Sequence, residues 1–578
     1  MYQGRQQTRI YTVIRKDYLD RCQPTKLGNM GKDAHGQVID VELHERTRQD
    51  ASEVSQPICD RMATFASASF HCPSYVMLTS TRSALRRFSR WNTRLLHHGH
   101  TKVRNLTTDP SQGPVKVFAQ YYSNPVSLAT EYFARTFKYS LLGLLTLGVT
   151  IGTAFEAAHL YVENVALAAE TDPDVRKWEW DLQGDRWSPP GSGGTEPALG
   201  FRCRHAVRGA WMAQNWGTGS GGSVIGGTSS SNIVGSATQS AQDFLTIAIN
   251  IATRDRSNGS NISEGTLRML ITRHAILLES LGYKDSLLEA RSELERMWKV
   301  FPPPGIEASQ IAQRLGDLNR RLGDPDDAVV WWTRAVQLAQ GKEPSDTLVV
   351  PTSPPSSPVA QRSLISTLVS VSAFYATTGQ LKRAREVETL SLDLIRSIEQ
   401  PRALTSSSPG EALHALYILH RSAILSIHLA EVEHGLRSSP ETSIQWLTNA
   451  ANSSERVAFA LSEATQRDSG RAIPLSATAR SPLIASYSGS ASMQRPASSL
   501  LRDSRRSAAE AWHLIGILTE GSQTGSPMKA AECYGRALGW TGVDVEKLDE
   551  GVLPQVDEEW TPLLKNYIRA KSSSSKTT

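Results

Sequence analysis

Cysteine is scarce: five in 578 residues, which excludes a disulfide-stapled scaffold. Net charge is scarce too. Lys plus Arg number 62 against 57 Asp plus Glu, a surplus too small over this length for a nucleic-acid binder. Apolar residues reach 39% and charged residues 21%, so part of the chain is expected to stay unfolded. Thirteen Trp and many Leu/Ala-rich stretches exclude disorder throughout. At roughly 100–200 residues per domain there is room for several domains or one long repeat array.

Signatures of chemistry are also missing. The Gly-rich run at 217–222 has no Gly-Lys-Ser/Thr and opens no strand–helix unit, so it is no phosphate cradle. His97, His98 and His100 sit in a basic stretch and read as part of a cationic helix. His414, His420, His428 and His434 are spaced six, eight and six apart, not the i, i+4 pairing of a helical metal site. Cys203 and Cys533 have no CxxC partner. The chain is therefore expected to be no enzyme, with no cofactor and no bound metal.

The sharpest absence is local. From Arg61 to Thr108 there is no Asp or Glu, while Arg61, Arg82, Arg86, Arg87, Arg90, Arg94, Lys102 and Arg104 are interleaved with Ser, Thr and Leu. That is the composition of a mitochondrial transit peptide. Leu85, Phe88 and Trp91 share one face of a cationic helix. Residues 62–107 are read this way; a disordered basic arm is the plain alternative. Residues 1–61 precede it and carry Asp17, Asp33, Asp40, Glu42 and Glu45, so they are expected to be disordered and an upstream extension, with translation starting at Met62 or Met77.

Tyr139 to Phe155 contains no charge, and apolar character continues to Val162 past Glu156 and His159. About 20 residues at 1.5 Å each cross a bilayer, so 139–162 is expected to be a transmembrane helix. Arg135 and Lys138 precede it; Glu163, Glu170, Asp172 and Asp174 follow. The positive-inside rule leaves the N-terminal side in the matrix and the C-terminal side in the intermembrane space. A buried helix of a soluble protein is the competing reading.

From 200 to 545 the pattern is helix–turn–helix, interrupted by low-complexity inserts at 217–232, 342–358 and 465–500 that read as disordered, with a tail at 546–578. The clearest unit is Ser309 to Gln340, SQIAQRLGDLNRRLGDPDDAVVWWTRAVQLAQ. Leu315, Gly316, Gly323, Ala328, Trp332 and Ala335 fall at the tetratricopeptide (TPR) spacing. Gly316 and Ala328 are small where paired helices touch, and Gly323-Asp324-Pro325 stops one helix and starts the next. A looser unit holds Tyr375, Gly379 and Ala384, with Glu388 and Ser391 where an aromatic and Ala belong. A third holds Trp512, Gly516, Ala530, Tyr534 and Ala537. Residues 204–216 and 241–254 look like an opening pair.

The chain thus resembles the tetratricopeptide-repeat superfamily over about 200–545. The resemblance implies an all-α superhelix of antiparallel helix pairs whose concave face binds proteins or peptide segments. Presequence, one span and TPR units together are similar to the TPR-bearing adaptor of the fungal i-AAA protease complex in the mitochondrial inner membrane. That implies a single-pass adaptor with its repeats in the intermembrane space and an inner-membrane AAA protease as partner. A soluble matrix scaffold for complex assembly or gene expression is the other reading. Gln313, Asp317 and Arg320 are the candidate partner-binding residues. Gln313 and Asp317 fill the slots where carboxylate-gripping TPR proteins carry Lys and Asn, and Asp317 would repel a carboxylate.

Overall fold

In a computed structural model the described residues are 125–574, apart from 184–186, 188–192, 218–229, 343–346, 463–474, 523–525 and 550–555. The expected extension (1–61) and presequence (62–107) lie outside them, as does most of the insert at 217–232. Every regular element described is helical, and the sole β contact described is an isolated bridge, Ser462 to Leu483. Contacts divide the chain into two units between Thr146 and Leu147. The described part of the smaller unit, 125–146, is helix alone, with Tyr132, Phe133, Phe137 and Tyr139 exposed.

That helix, α1, runs Pro125–Tyr161 and ends in a π-turn at Val162–Ala166. A short helix α2 follows at Pro173–Lys177, then α3 (Phe201–Trp216) and α4 (Ser230–Ser257). The array continues with α5 (Glu264–Leu281) and α6 (Lys284–Val300), α7 (Gly305–Leu322) and α8 (Pro325–Ala339), α9 (Pro358–Thr377) and α10 (Leu381–Arg396), and α11 (Pro409–Gly435) and α12 (Pro440–Leu461). Two short pieces, α13 (Leu475–Ala479) and α14 (Ala485–Ser488), lead into α15 (Ala491–Gly521) and α16 (Pro527–Trp540). After α17 (Val545–Asp549), α18 (Thr561–Ser574) closes the chain. Consecutive helices pack in adjacent pairs, and each pair packs on the next.

Local sequence explains the boundaries. Proline stands at the first helical position of α8, α9, α11, α12 and α16, where its missing N–H costs nothing. Ser357 and Ser408 cap α9 and α11 by accepting from Ala360 N and Glu411 N. Gly323 ends α7 at φ +95°, the left-handed region that glycine enters freely.

Most of the residues expected to pack the repeats are inside, whereas Gly323 and Gly379 are exposed in turns and Trp512 is half-buried. Leu315, Ala328, Trp332, Ala335, Ala384, Ala530, Tyr534 and Ala537 are fully buried, and Tyr375 is nearly so. Gly316 is small because the Trp332 ring lies over it: a Cβ there would meet the indole at 2.5 Å. Gly516 and Tyr534 repeat the device, at 2.4 Å. Trp512 instead donates its indole N–H to Glu455 at 2.8 Å.

Two of the expected inserts hold packed residues. Within 342–358, Leu348 and Val350 pack against the core around α8 and α9. Within 465–500, Thr478, Tyr487, Met493, Ala497 and Leu500 are buried, and α15 begins at Ala491. Their apolar residues are few but spaced to reach the core, so burial outweighs the low-complexity composition. The expected tail also holds structure: Leu563, Tyr567 and Ala570 of α18 are buried against α16.

Candidate binding face

The first helices of successive pairs, α5, α7, α9, α11 and α15, carry a layer of polar side chains. On α7, Gln313, Asp317 and Arg320 follow one another at i, i+4 and i+7 and so share a face. All three are half-buried. Asp317 accepts a hydrogen bond from Trp332 Nε1 at 3.1 Å. Burial raises its carboxyl above the usual range, against the opposing pull of hydrogen bonds from Ser370 and Trp332 and of the Arg320 charge. Arg320 also reaches the field of His428 on α11, whose imidazole is lowered to about 4 by burial and by that guanidinium. On α5, Glu279 lies 3.7 Å from Arg314. Burial pushes it up to about 7.

The layer therefore brings Asp317 and Arg320 together and links α5, α7, α9 and α11. It gives Asp317 a structural duty that the sequence does not display: fixing the indole that sits over Gly316. Gln313 stays beside this network without entering it. No group of three or more His, Cys, Asp or Glu among the described residues is placed to hold a metal ion.

A second set was missed by sequence reasoning. Glu388 occupies the slot that Trp332 fills in the preceding pair, and Ser372 the slot of Gly316, again sixteen residues apart. Glu388 is fully buried, and neither carboxyl oxygen finds a hydrogen-bond partner among the described residues. Burial first, and then the Glu433 charge, pushes its carboxyl well above the usual value. Glu431 on α11 is raised likewise by burial, by Glu510 and by Glu388. Glu510 on α15 reaches about 7 by burial. Glu431 on α11 thus sits in the field of both Glu510 on α15 and Glu388 on α10. The departure of Glu388 from the aromatic pattern was the available signal.

Glu388→Leu removes a desolvated carboxyl that has no acceptor or donor to satisfy it. Stability is expected to rise by about 1–3 kcal/mol, read as a higher midpoint in chemical unfolding. The pH dependence has a definite sign. A carboxyl raised by folding stabilises fully below its unfolded value of 4.5, and that contribution is lost as pH rises through the folded value. Buried His420 and His428, both lowered to about 4, act oppositely and stop contributing any slope above about pH 6.5. Above that pH the native protein is expected to lose stability with rising pH, and Glu388→Leu to lose less. An unchanged slope would show that Glu388 is already ionised.

The chain also covers some of its own helix starts. The segment 172–183 lies across the N-terminal ends of α9 and α11. Asp174 accepts from Gly410 N at 2.6 Å and from Ser408 Oγ. Glu179 accepts from Val359 N at 3.0 Å and from Ser357 Oγ. Both carboxylates thus sit where a helix start favours an anion. Trp180 is fully buried and donates to Gly410 O at 2.9 Å. Arg362 stacks 3.9 Å over the Trp180 ring and donates to the carbonyls of Trp178 and Glu179, each at 3.1 Å. His414 contacts the same guanidinium at 3.1 Å; burial and that charge lower its imidazole to about 3.

Comparison of the chain with protein-family models gives no match, and comparison with curated proteins gives none either.

Proposed function

We propose that the chain is a non-enzymatic adaptor, anchored in the mitochondrial inner membrane by α1, whose TPR-like superhelix captures partner polypeptides. The observation that carries this reading is the exposure of α1. Ala129–Ala166 is long and apolar enough to cross a membrane, and none of its most apolar window is buried. Leu141, Leu144, Leu145, Leu147, Val149, Ile151 and Phe155 are all more than half exposed. Water is a poor solvent for such a surface, and a bilayer is a good one. The Thr146 and Thr153 hydroxyls donate to the carbonyls of Leu142 and Val149, at 2.8 and 2.9 Å, so neither brings an unsatisfied donor into lipid.

The acid-free segment 61–108 supports a mitochondrial address, and the charges flanking the span support repeats in the intermembrane space. The polar layer around Asp317, Arg320 and Glu279 suits an extended polypeptide better than a small apolar ligand. An AAA protease of the inner membrane is the proposed recipient of what is captured. The soluble matrix scaffold needs residues 139–162 packed inside the protein, and the exposure of 139–157 speaks against it.

Carbonate extraction of mitochondria is expected to leave the full-length protein in the membrane pellet. Protease added to mitoplasts, but not to intact mitochondria, is expected to degrade the repeat domain. Protection of that domain in mitoplasts would reverse the topology. Affinity purification in mild detergent then separates the partners: a co-purifying AAA protease supports the adaptor reading, ribosomal proteins the matrix scaffold.

A further inference from the structure

The end of α1 does not lead into a loose tether. His159 and Val162 are buried against α3. Glu163 is held by Arg204 Nη2 at 2.6 Å, Thr195 N at 3.0 Å, Thr195 Oγ1 at 2.9 Å and Arg208 Nε at 3.5 Å. Arg208 Nη1 also donates to the His159 carbonyl at 3.5 Å. His205 stacks against His159, Phe155 and Phe201, with ring centroids 4.3, 6.1 and 4.0 Å away. Tyr161 meets Trp216 at 5.9 Å, and Trp216 meets Trp211 at 5.4 Å.

These contacts keep no steady register. Arg204 meets Glu163, His205 meets Phe155 and His159, Arg208 meets both His159 and Glu163, and Trp216 meets Tyr161. From Arg204 to Trp216, α3 extends roughly 18 Å at 1.5 Å per residue, while the stretch of α1 it touches covers roughly 12 Å. Arg204 and Trp216, at opposite ends of α3, thus reach the same short stretch of chain, Tyr161 to Glu163, just past the end of the charge-free run.

One face of α3, with Cys203, Ala206, Val207, Ala210 and Ala213, is buried against α4. Phe201 and Trp216 are exposed, and lie only about 60° apart around the helix. Leu160, Tyr161 and Val165 of α1 are exposed nearby in sequence and fold, and Arg202 is exposed beside Phe201. Aromatic rings that are apolar in body and polar at one edge collect at the headgroup level of bilayers, and Arg favours phosphate there.

We infer that α3 is an interfacial helix, with Phe201, Trp216 and Tyr161 seated among the phospholipid headgroups on the side where α1 leaves the membrane. The inference rests on α1 crossing the bilayer. What singles out lipid as the occupant is continuity: the patch is the direct extension of the apolar surface of α1, and it is held to that helix by the Glu163–Arg204–Arg208 cluster.

The test uses the full-length protein in phosphatidylcholine vesicles containing a lipid with a nitroxide on its headgroup. An environment-sensitive fluorescent amino acid is placed at residue 201, at residue 216, or, as a control, at exposed Leu390 on α10. Circular dichroism and the melting midpoint establish that each labelled chain is folded. Several-fold stronger quenching at 201 and 216 than at 390 is the expected result. Carbonate-resistant protein whose labels at 201 and 216 quench no more than the one at 390 overturns the interfacial helix alone. Release of the protein by carbonate overturns the span, and the interfacial helix with it.

Discussion

Trp180→Ala is expected to destabilise the helical array by about 3–5 kcal/mol, the usual cost of deleting a buried indole. The ring is fully enclosed, lies under the Arg362 guanidinium at 3.9 Å, and donates to Gly410 O. Its loss empties a cavity and leaves a buried guanidinium over nothing. The effect is also local. Val359 N and Gly410 N donate to Glu179 and Asp174, which the same segment carries. Hydrogen exchange at these two amides is expected to accelerate by about a hundredfold, as loosening by about 3 kcal/mol requires. Unchanged protection there would mean that the carboxylates hold the segment without the indole.

Glu455→Ala is expected to cost about 2–5 kcal/mol, because it strands two indole donors, each worth about 1–3 kcal/mol, and removes the partner of the half-exposed Arg536. Glu455 is buried on α12 and accepts from four donors on two other helices: Trp512 Nε1 and Trp540 Nε1, each at 2.8 Å, Arg536 Nε at 2.9 Å and Arg536 Nη2 at 2.6 Å. Arg536 in turn lies 4.3 Å over the Trp512 ring. Without the carboxylate, two indole N–H groups and a guanidinium lose their acceptor together. Glu455→Gln keeps the volume and one acceptor oxygen, so it is expected to recover part of the loss. Unfolding followed by tryptophan fluorescence reads both variants. Equal stability of Glu455→Ala and the native chain would mean that water replaces the carboxylate without penalty.

What could be read in the sequence was local. The pair α7–α8 was legible because its helix stop, its proline start and its Gly316–Trp332 contact all lie within one 32-residue stretch. The start of α9 was hidden in a Ser/Pro-rich run that looked like plain loop, although Ser357-Pro358 carries both a cap and a first-turn proline. Gln313, Asp317 and Arg320 were legible as one helix face, but the hydrogen bond that commits Asp317 to Trp332 was not. Glu388 stood out as a misfit. Its neighbours in charge, Glu433 and Glu431, belong to another helix, and nothing in the spacing announces them. The segment 172–183 was the least legible, since its partners lie 180 and 236 residues further on. It read only as an acidic stretch after the span.

The acidic stretch has a mechanical meaning. The chain leaving α1 is tied down first by Glu163 and again at Asp174 and Glu179, before and after which it meets different helices of the array. With α1 embedded in lipid, no slack leash would remain to absorb a pull. On the proposed adaptor reading, a force on a captured polypeptide would pass through the helices as torque on the anchor, and the membrane itself would bear the load.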